Sequence, residues 1–440
     1  MIEQSIRAKS VPGESRFAAL RRFFIIWFGQ LVSLTGSGLT AFALGVWVFQ
    51  QTGSATSFAL IALAGTLPRA LFSPVAGALA DRYDRRKLMI AADMGAGLST
   101  ILLIALFVSG RIELWHIYLG AFLNAAANAF QFPAYSASIP TLVPKEQLGR
   151  ANGLVQLANA IGMIIAPVAA GILIATTSIP TIMIIDLATF LFAVGTLLMV
   201  RIPRGEVARA DDSSFVRQVV DGWRYLRVRH ALLALFGFLV LGNFLVGVAA
   251  VLLAPMVLSF SNAATLGAVQ AVGGAGLLVG GILMSVWGGG QRRVYTFLGF
   301  FALLGIGVLG AGLHASAVTI GISAFVAYLS LPFIIGTLGA ILNSKVAPNF
   351  QGRVVSLRVT AVTLAFALAY ATAGPLADRV FEPLLLPGGA LASSVGQVIG
   401  TGDGRGMAAL FILMGALAIA AVGLAMPRLR NLDSELPDAV

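Results

Sequence analysis

The sequence predicts an all-α membrane protein of twelve transmembrane helices, arranged as two pseudo-symmetric six-helix bundles. Three observations carry this expectation. The chain is 58% hydrophobic and only 11% charged, with a mean hydropathy of +0.92, whereas a soluble domain carries roughly a quarter charged residues. Its apolar residues lie in runs long enough for helices to cross a ~30 Å hydrocarbon core, without the alternation of barrel strands. Features of the first half recur in the second. A water-soluble chain of this composition would expose large apolar patches and aggregate.

The first span, 22–49, follows a basic N-terminus carrying Arg7, Lys9, Arg16, Arg21 and Arg22. Its apolar run is too long for a signal peptide and lacks a small-residue cleavage site, so it is expected to remain as a span. Spans two to six follow at 54–80, 87–109, 115–142, 147–175 and 180–200. The segment 201–230 is the one substantial loop on its side. Val216, Val219, Trp223 and Leu226 stand there at helical spacing, with Arg217, Arg224 and Arg227 among them. This predicts an amphipathic helix, either lying on an anionic lipid leaflet or solvated as a linker. Spans seven to twelve occupy 231–259, 264–288, 293–313, 316–345, 353–378 and 405–426. The expected organisation is an N-terminal bundle over 1–200, a linker over 201–230 and a C-terminal bundle over 231–440.

All but four of the 29 Lys and Arg fall on one side of this arrangement. The exceptions are Arg69, inside span two, and Arg111, Arg379 and Arg405 on the other side. The bias places both termini in the cytoplasm of a bacterial inner membrane. The same clustering means that the net charge of +11 reflects topology rather than a nucleic-acid surface. The chain has no cysteine, and its three histidines, His116, His230 and His314, lie far apart. No metal site and no cofactor are expected.

The halves echo each other. Gly77-Ala-Leu-Ala-Asp81-Arg82-Tyr-Asp84-Arg85-Arg86-Lys87 lies between spans two and three, and Gly288-Gly-Gly-Gln-Arg292-Arg293 between spans eight and nine. Pro144 to Arg150 follows span four, and Pro348-Asn-Phe-Gln-Gly352-Arg353 follows span ten. The offset is roughly 200 residues in each case, a pattern of transporters that rock two bundles about a central site. Gly374-Pro-Leu-Ala-Asp378-Arg379 imitates the first loop at the outer end of span eleven. It is expected only to begin the outer loop, 379–404. Gly276 and Gly280, one helical turn apart, predict close helix packing rather than a nucleotide site.

At these residues the chain resembles the major facilitator superfamily. Gly77 to Lys87 is similar to that family's loop motif nearly position for position, and the twelve-span plan extends the resemblance over almost the whole chain. The resemblance implies a cytoplasmic latch formed by Gly77, Asp81, Arg82, Arg85 and Arg86, with Arg150, Arg292, Arg293 and Arg353 at the related positions. In span five, Gly162-Met-Ile-Ile-Ala-Pro167-Val-Ala-Ala-Gly171 resembles the family's antiporter motif, with alanine at two glycine positions, and implies export. Pro133 to Gly153 looks like the bacterial drug-exporter branch that includes macrolide efflux proteins and the enterobactin exporter. Many proton-coupled exporters carry an arginine within span four; this sequence has none there.

Candidate cavity residues follow from helix faces. Asn124, Asn128, Gln131, Tyr135 and Ser138 fall on one face of span four, able to line a wet cavity or to hold neighbouring helices. Gln30, Ser33, Ser37 and Thr40 form a similar face in span one. The C-half offers Asn243 in span seven and Ser323, Ser330 and Thr337 in span ten. Arg69 lies about 18 Å above the cytoplasmic end of its helix. An unpaired charge there costs at least ~2.5–3.5 kcal/mol. Arg69 therefore either pairs with Asp186, at a comparable depth, or faces the cavity and binds an anionic substrate or takes part in gating. Asp93 and Asp186 are the proton-site candidates by elimination.

The function these features imply is secondary active export of small amphipathic compounds by alternating access, with proton antiport. The partners are a small-molecule substrate, protons and lipid, with the chain acting as a monomer. A facilitator or importer is the second transport reading. A membrane-embedded enzyme or a receptor would need a convergent nucleophile–base or metal cluster, and the sequence offers none.

Overall fold

A computed structural model describes residues 16–200, 215–290 and 292–429. Within them, the side chains of residues 16–19, 70, 73–75, 77, 78, 80–82, 215, 216, 428 and 429 lie outside the description. The chain forms α1 (Arg16–Thr52), α2 (Ala55–Arg82), α3 (Arg85–Val108), α4 (Leu114–Leu142), α5 (Leu148–Thr176) and α6 (Ile179–Met199). A shorter α7 (Phe215–Arg227) precedes α8 (His230–Leu258), α9 (Ala263–Trp287), α10 (Arg293–Leu313), α11 (Ala317–Lys345) and α12 (Pro348–Leu376). Two small helices, α13 (Glu382–Leu385) and α14 (Val395–Ile399), lead to α15 (Arg405–Leu429).

The twelve long helices coincide with the twelve expected spans. Ten are long and apolar enough to cross a membrane. The other two are α2, part of which lies outside the described side chains, and α4, whose polar face lowers its hydropathy. One boundary shifts: α12 begins at Pro348, so Gly352 and Arg353 belong to its first turns. Proline suits that start, because a first helical turn has no use for the N–H it lacks.

Short connections make successive helices antiparallel. One side of the molecule, the linker side, holds the α2–α3, α4–α5 and α6–α8 connections. The far side holds the α1–α2, α5–α6, α8–α9 and α12–α15 connections.

The sequence echo between the halves has a physical counterpart on the linker side. Arg85, in the first turn of α3, donates to the Ala137 carbonyl of α4 at 2.6 Å. Arg293, in the first turn of α10, donates to the Ala340 carbonyl of α11 at 3.5 Å and to Ser344 at 3.4 Å. Arg86 caps α6, donating to the carbonyls of Leu197 and Leu198 at 2.6 Å each. Those carbonyls close a helix and have no partner within it.

The amphipathic linker helix is present as α7, docked on α12. Gly222 lies against the Arg353 carbonyl, and Tyr225 stacks on Phe350 with centroids 4.5 Å apart. Gln218 accepts from Ser356 at 3.0 Å. Tyr225 and Leu226 are buried, while Val220 and Trp223 stay exposed. One face therefore packs on protein, a docking that neither sequence reading anticipated, and the other is left open.

Contacts between the halves gather on the far side. Along α5 and α9, Gly171 meets the backbone of Ala263 and Ala264, Gly267 meets the Pro167 carbonyl, and Gly274 meets Ile164. Small residues allow this approach because lipid supplies no hydrophobic drive between helices, so packing must. At the second seam, Gly374 of α12 rests on Thr56 of α2. The Asp378 carboxylate there accepts from Ser54 Oγ at 2.6 Å, Ala55 N at 3.0 Å and Thr56 N at 2.9 Å, capping α2 from the opposite half. Gly374 to Asp378, expected merely to open a loop, is thus the far-side closure. Beyond it Glu382 accepts from Gly404 N at 3.2 Å and Met407 N at 3.1 Å, at the start of α15. Gly276 and Gly280 lie on the backbone of Phe325 and Leu329 in α11, the packing role expected for them.

Candidate transport cavity

One cavity opens at the junction of the halves and another inside the C-half. A cavity of about 500 Å³ is bounded by α1, α2 and α5 from one half and by α8 and α9 from the other. Its lining includes Phe42, Phe58, Asn159, Gly162, Pro167 and Gln270. A second, of about 450 Å³, lies within the C-half between α8, α10, α11 and α12, with Phe238, Asn243, Phe301, Arg358 and Phe366 on its wall. Both walls are apolar with a few isolated polar groups, as small-molecule sites usually are.

The expected site residues divide by location. Gly162 and Pro167 line the first cavity, and Asn243 lines the second. Asn243 turns its amide back to the Leu239 carbonyl at 2.8 Å, leaving its oxygen available. Ser323 borders a void of about 40 Å³ beside Tyr328. Ser330 and Thr337 are buried and donate to Val326 and Phe333 of their own helix. These two hydroxyls satisfy the helix rather than a cargo.

The polar face of α4 points mostly into the N-half. Gln131 donates to Gln30 Oε1 of α1 and neighbours the Asp93 carboxylate of α3. Ser138 is fully buried and donates to the Tyr135 carbonyl at 2.6 Å, and Tyr135 is buried too. Asn124 and Asn128 remain partly open and bond to each other at 2.9 Å. Ser33 is buried.

Asp186 and Arg69 do not meet. Asp186 is 1% exposed and accepts from Ser37 Oγ of α1 at 3.4 Å. The Arg69 side chain is exposed, and its electrostatic neighbour is Tyr370 of α12, itself within range of Tyr328 in α11. The expected pairing of Arg69 with Asp186 is therefore not formed, and Arg69 lines neither of the two cavities. Asp93 is 6% exposed, and one of its carboxylate oxygens has no partner.

In the loop motif, Gly77, Asp81 and Arg82 have side chains outside the described residues, while Arg85 and Arg86 bind within their own half as above. Arg150 is exposed at the start of α5. Arg292 lies 5.9 Å from the Tyr295 ring centroid. Arg353 pairs with Asp221 of α7 at 3.9 Å. The antiporter-like segment serves two purposes, since Gly162 lines the cavity while Pro167 and Gly171 pack on α9.

Sequence pattern alone gives little hint of Arg358, Tyr328, Tyr370, Asn159 or Gln270. Arg358 stands near enough to a loop to be counted with the cationic side. The other four are single polar or aromatic residues in apolar helices, and only their facing partners distinguish them.

The profile of the Major Facilitator Superfamily matches residues 26–370. Macrolide efflux protein A of Streptococcus pyogenes is 30% identical over 369 residues, covering 82% of this chain and 90% of that protein. The multidrug efflux pump Tap of Mycolicibacterium fortuitum is 27% identical over 426 residues, covering 93% and 96%. Among solved structures, a bacterial homolog of the human lysosomal transporter Spinster, inward-facing and unoccupied, superposes with a TM-score of 0.71. It shares 15% identity over 94% of this chain and 98% of that one. Two six-helix halves meeting around a cavity, with relatives that match across most of their length, establish that the chain belongs to the Major Facilitator Superfamily and is a multi-pass secondary transporter.

Proposed function

We propose that the protein exports small amphipathic, drug-like compounds from a bacterial cytoplasm in exchange for protons, with its linker side and both termini in the cytoplasm. The carrying observation is the cavity shared by the two halves, closed toward the far side by α5 on α9 and α12 on α2. A cavity bounded by both bundles changes its exposure when they rock, which is alternating access. Relatives named for macrolide and multidrug efflux support export of such compounds. Apolar and aromatic walls with few polar groups suit cargo that is sorted by shape and polarity rather than by one fixed scaffold.

For coupling, Asp93 and Asp186 are the membrane-embedded carboxyls of the described spans. Asp93 has the better setting. Its unpartnered oxygen can carry a proton, and the Gln131–Gln30 contact joins it to α1 and α4. Dye efflux from cells expressing the protein is expected to collapse when an uncoupler removes the proton gradient. Flux in reconstituted vesicles, with and without an imposed pH gradient, checks the same point directly. Uphill transport that continues without a gradient would remove proton antiport, and flux that only equilibrates the dye would make the protein a facilitator.

A further inference from the structure

The spanning part of the C-half holds one cation on a cavity wall without a counter-charge. Arg358 lies about 15 Å along α12 from its start at Pro348, at the ~1.5 Å rise of a helical residue. It is half-buried, and among the described residues it makes no hydrogen bond, ion pair or ring contact. It lines the cavity of about 450 Å³ between α8, α10, α11 and α12. The other polar side chains on that wall, Asn243 and Thr363, carry no charge. Thr363 spends its hydroxyl proton on the Val359 carbonyl at 2.9 Å, and Asn243 spends an amide proton on the Leu239 carbonyl at 2.8 Å. The guanidinium of Arg358, with its fork of N–H groups, is the main donor left unspent on the wall.

The carboxylates that could answer this charge are engaged elsewhere. In the C-half, Asp221 pairs with Arg353 at 3.9 Å and with Arg224 at 3.8 Å. Asp378 caps α2, Glu382 holds the start of α15, and Asp403 precedes α15 on the far side. Asp93 and Asp186 are buried in the N-half. None of them lines this cavity. The rest of the wall is apolar, with Phe238, Phe301 and Phe366. A small hydrated anion gains nothing from such a surface. A cationic amphipath would meet an unanswered positive charge in a medium that screens it poorly. An amphipathic organic anion answers both parts, burying its apolar body on the phenylalanines and pairing its charge with the arginine. The volume suits it, since small-molecule pockets span about 300–1,000 Å³.

We propose that the C-half cavity is an anion-selective cargo site, in which Arg358 binds the carboxylate, sulfonate or phosphate of an amphipathic aromatic compound. A guanidinium offers such an oxyanion two parallel charge-assisted hydrogen bonds. The phenylalanine wall takes the apolar body. Asn243, with its amide oxygen available, can accept from a hydroxyl on the same cargo. The site adds a charge class to the cargo of the transport reading above, on which it rests.

The test uses 6-carboxyfluorescein as the anionic aromatic probe and rhodamine 6G as its cationic counterpart, with purified full-length protein. In neutral detergent, fluorescence anisotropy is expected to show binding of carboxyfluorescein that weakens about tenfold in Arg358→Gln. Arg358→Lys should recover most of that loss. Arg111→Gln, which removes an exposed cation from the α3–α4 turn, should leave binding unchanged. Thr363→Trp puts bulk into the cavity and should weaken binding at least as much as Arg358→Gln. Unchanged thermal unfolding shows that the variants fold. In phosphatidylcholine vesicles the wild type should transport carboxyfluorescein in preference to rhodamine 6G. Preference for rhodamine 6G, or carboxyfluorescein binding indifferent to Arg358→Gln or to Thr363→Trp, overturns the anion site while leaving transport intact. Arg358-dependent binding without movement of either dye supports the site and removes the transport reading. Absence of dye binding overturns the proposal, and Arg358-dependent stabilisation by added phosphatidylglycerol would then assign the arginine to a lipid headgroup.

Discussion

Single side chains in this protein do different work according to whether they face the bundle or the cavity. Asp93 is a buried carboxyl with one unpartnered oxygen, and Asp186 is a buried carboxyl held by a neighbouring hydroxyl. Asp93→Asn keeps the shape and removes the exchangeable proton. It is expected to lower proton-driven dye efflux at least about tenfold while leaving dye binding within about twofold. The measurement is pH-gradient-driven flux beside equilibrium binding; equal loss of both would assign Asp93 to folding or to cargo. Arg86 is a residue of stability. Arg86→Ala leaves the Leu197 and Leu198 carbonyls without their donor and is expected to cost about 1–3 kcal/mol, read as a lower midpoint in thermal unfolding of the purified protein. At this scale the sequence already pointed to Asp93, Asp186 and Arg69. It could not point to Arg358, since a cation near a span boundary reads as a loop residue until the helix start is known. Nor could it tell that Ser330 and Thr337 spend their hydroxyls on their own helix.

Helices α2 and α12 show how an element can carry a state. Gly77-Ala-Leu-Ala-Asp81-Arg82 ends α2, and Gly374-Pro-Leu-Ala-Asp378-Arg379 spans the end of α12. The second copy places its aspartate on the N-terminus of α2, where exposed backbone N–H groups and the helix dipole favour a carboxylate. Asp378→Asn is expected to weaken far-side closure by about 1–2 kcal/mol, changing the ratio of closed to open forms about 5–30-fold. The absence of native cysteine makes the measurement direct. Spin labels attached after Gln51→Cys and Arg379→Cys should show a larger long-distance population in the Asn variant. An unchanged distance distribution would mean that packing of α5 on α9 alone holds the far side. That packing has its own test. Gly171→Leu overfills the contact with Ala263 and is expected to cost about 1–3 kcal/mol in the closed form, seen as the same redistribution of distances.

For the whole molecule, topology is the property most open to a direct check. A single cysteine introduced as Arg111→Cys, at the α3–α4 turn, should react with a membrane-impermeant maleimide added outside intact cells. One introduced as Arg150→Cys, at the start of α5, should react only after permeabilisation. The reverse pattern would invert the assignment of the linker side and turn the proposed exporter geometry around. The two halves also differ in kind. The C-half packs around one continuous core that includes Phe297 and Phe301, whereas the N-half core is divided among smaller clusters. The carboxyls Asp93 and Asp186 and the Gln131–Gln30 contact lie in the N-half, whereas the aromatic wall of the second cavity, Phe238, Phe301 and Phe366, belongs to the C-half.

The sequence by itself determined the class, the number and order of spans, the repeat and the charge bias between sides. These depend on the solvent each segment must enter, and hydropathy and Lys/Arg placement report that solvent locally. The glycine pair in α9 and the arginines at the loop ends were legible for a similar reason, because spacing along one helix suffices to place them. Only the tertiary structure decided which contacts join the halves on the far side, and which polar faces pack and which line a cavity. Those outcomes join residues such as Ser54 and Asp378, which are 324 positions apart. A pattern read along one helix cannot see the partner that another helix brings to it.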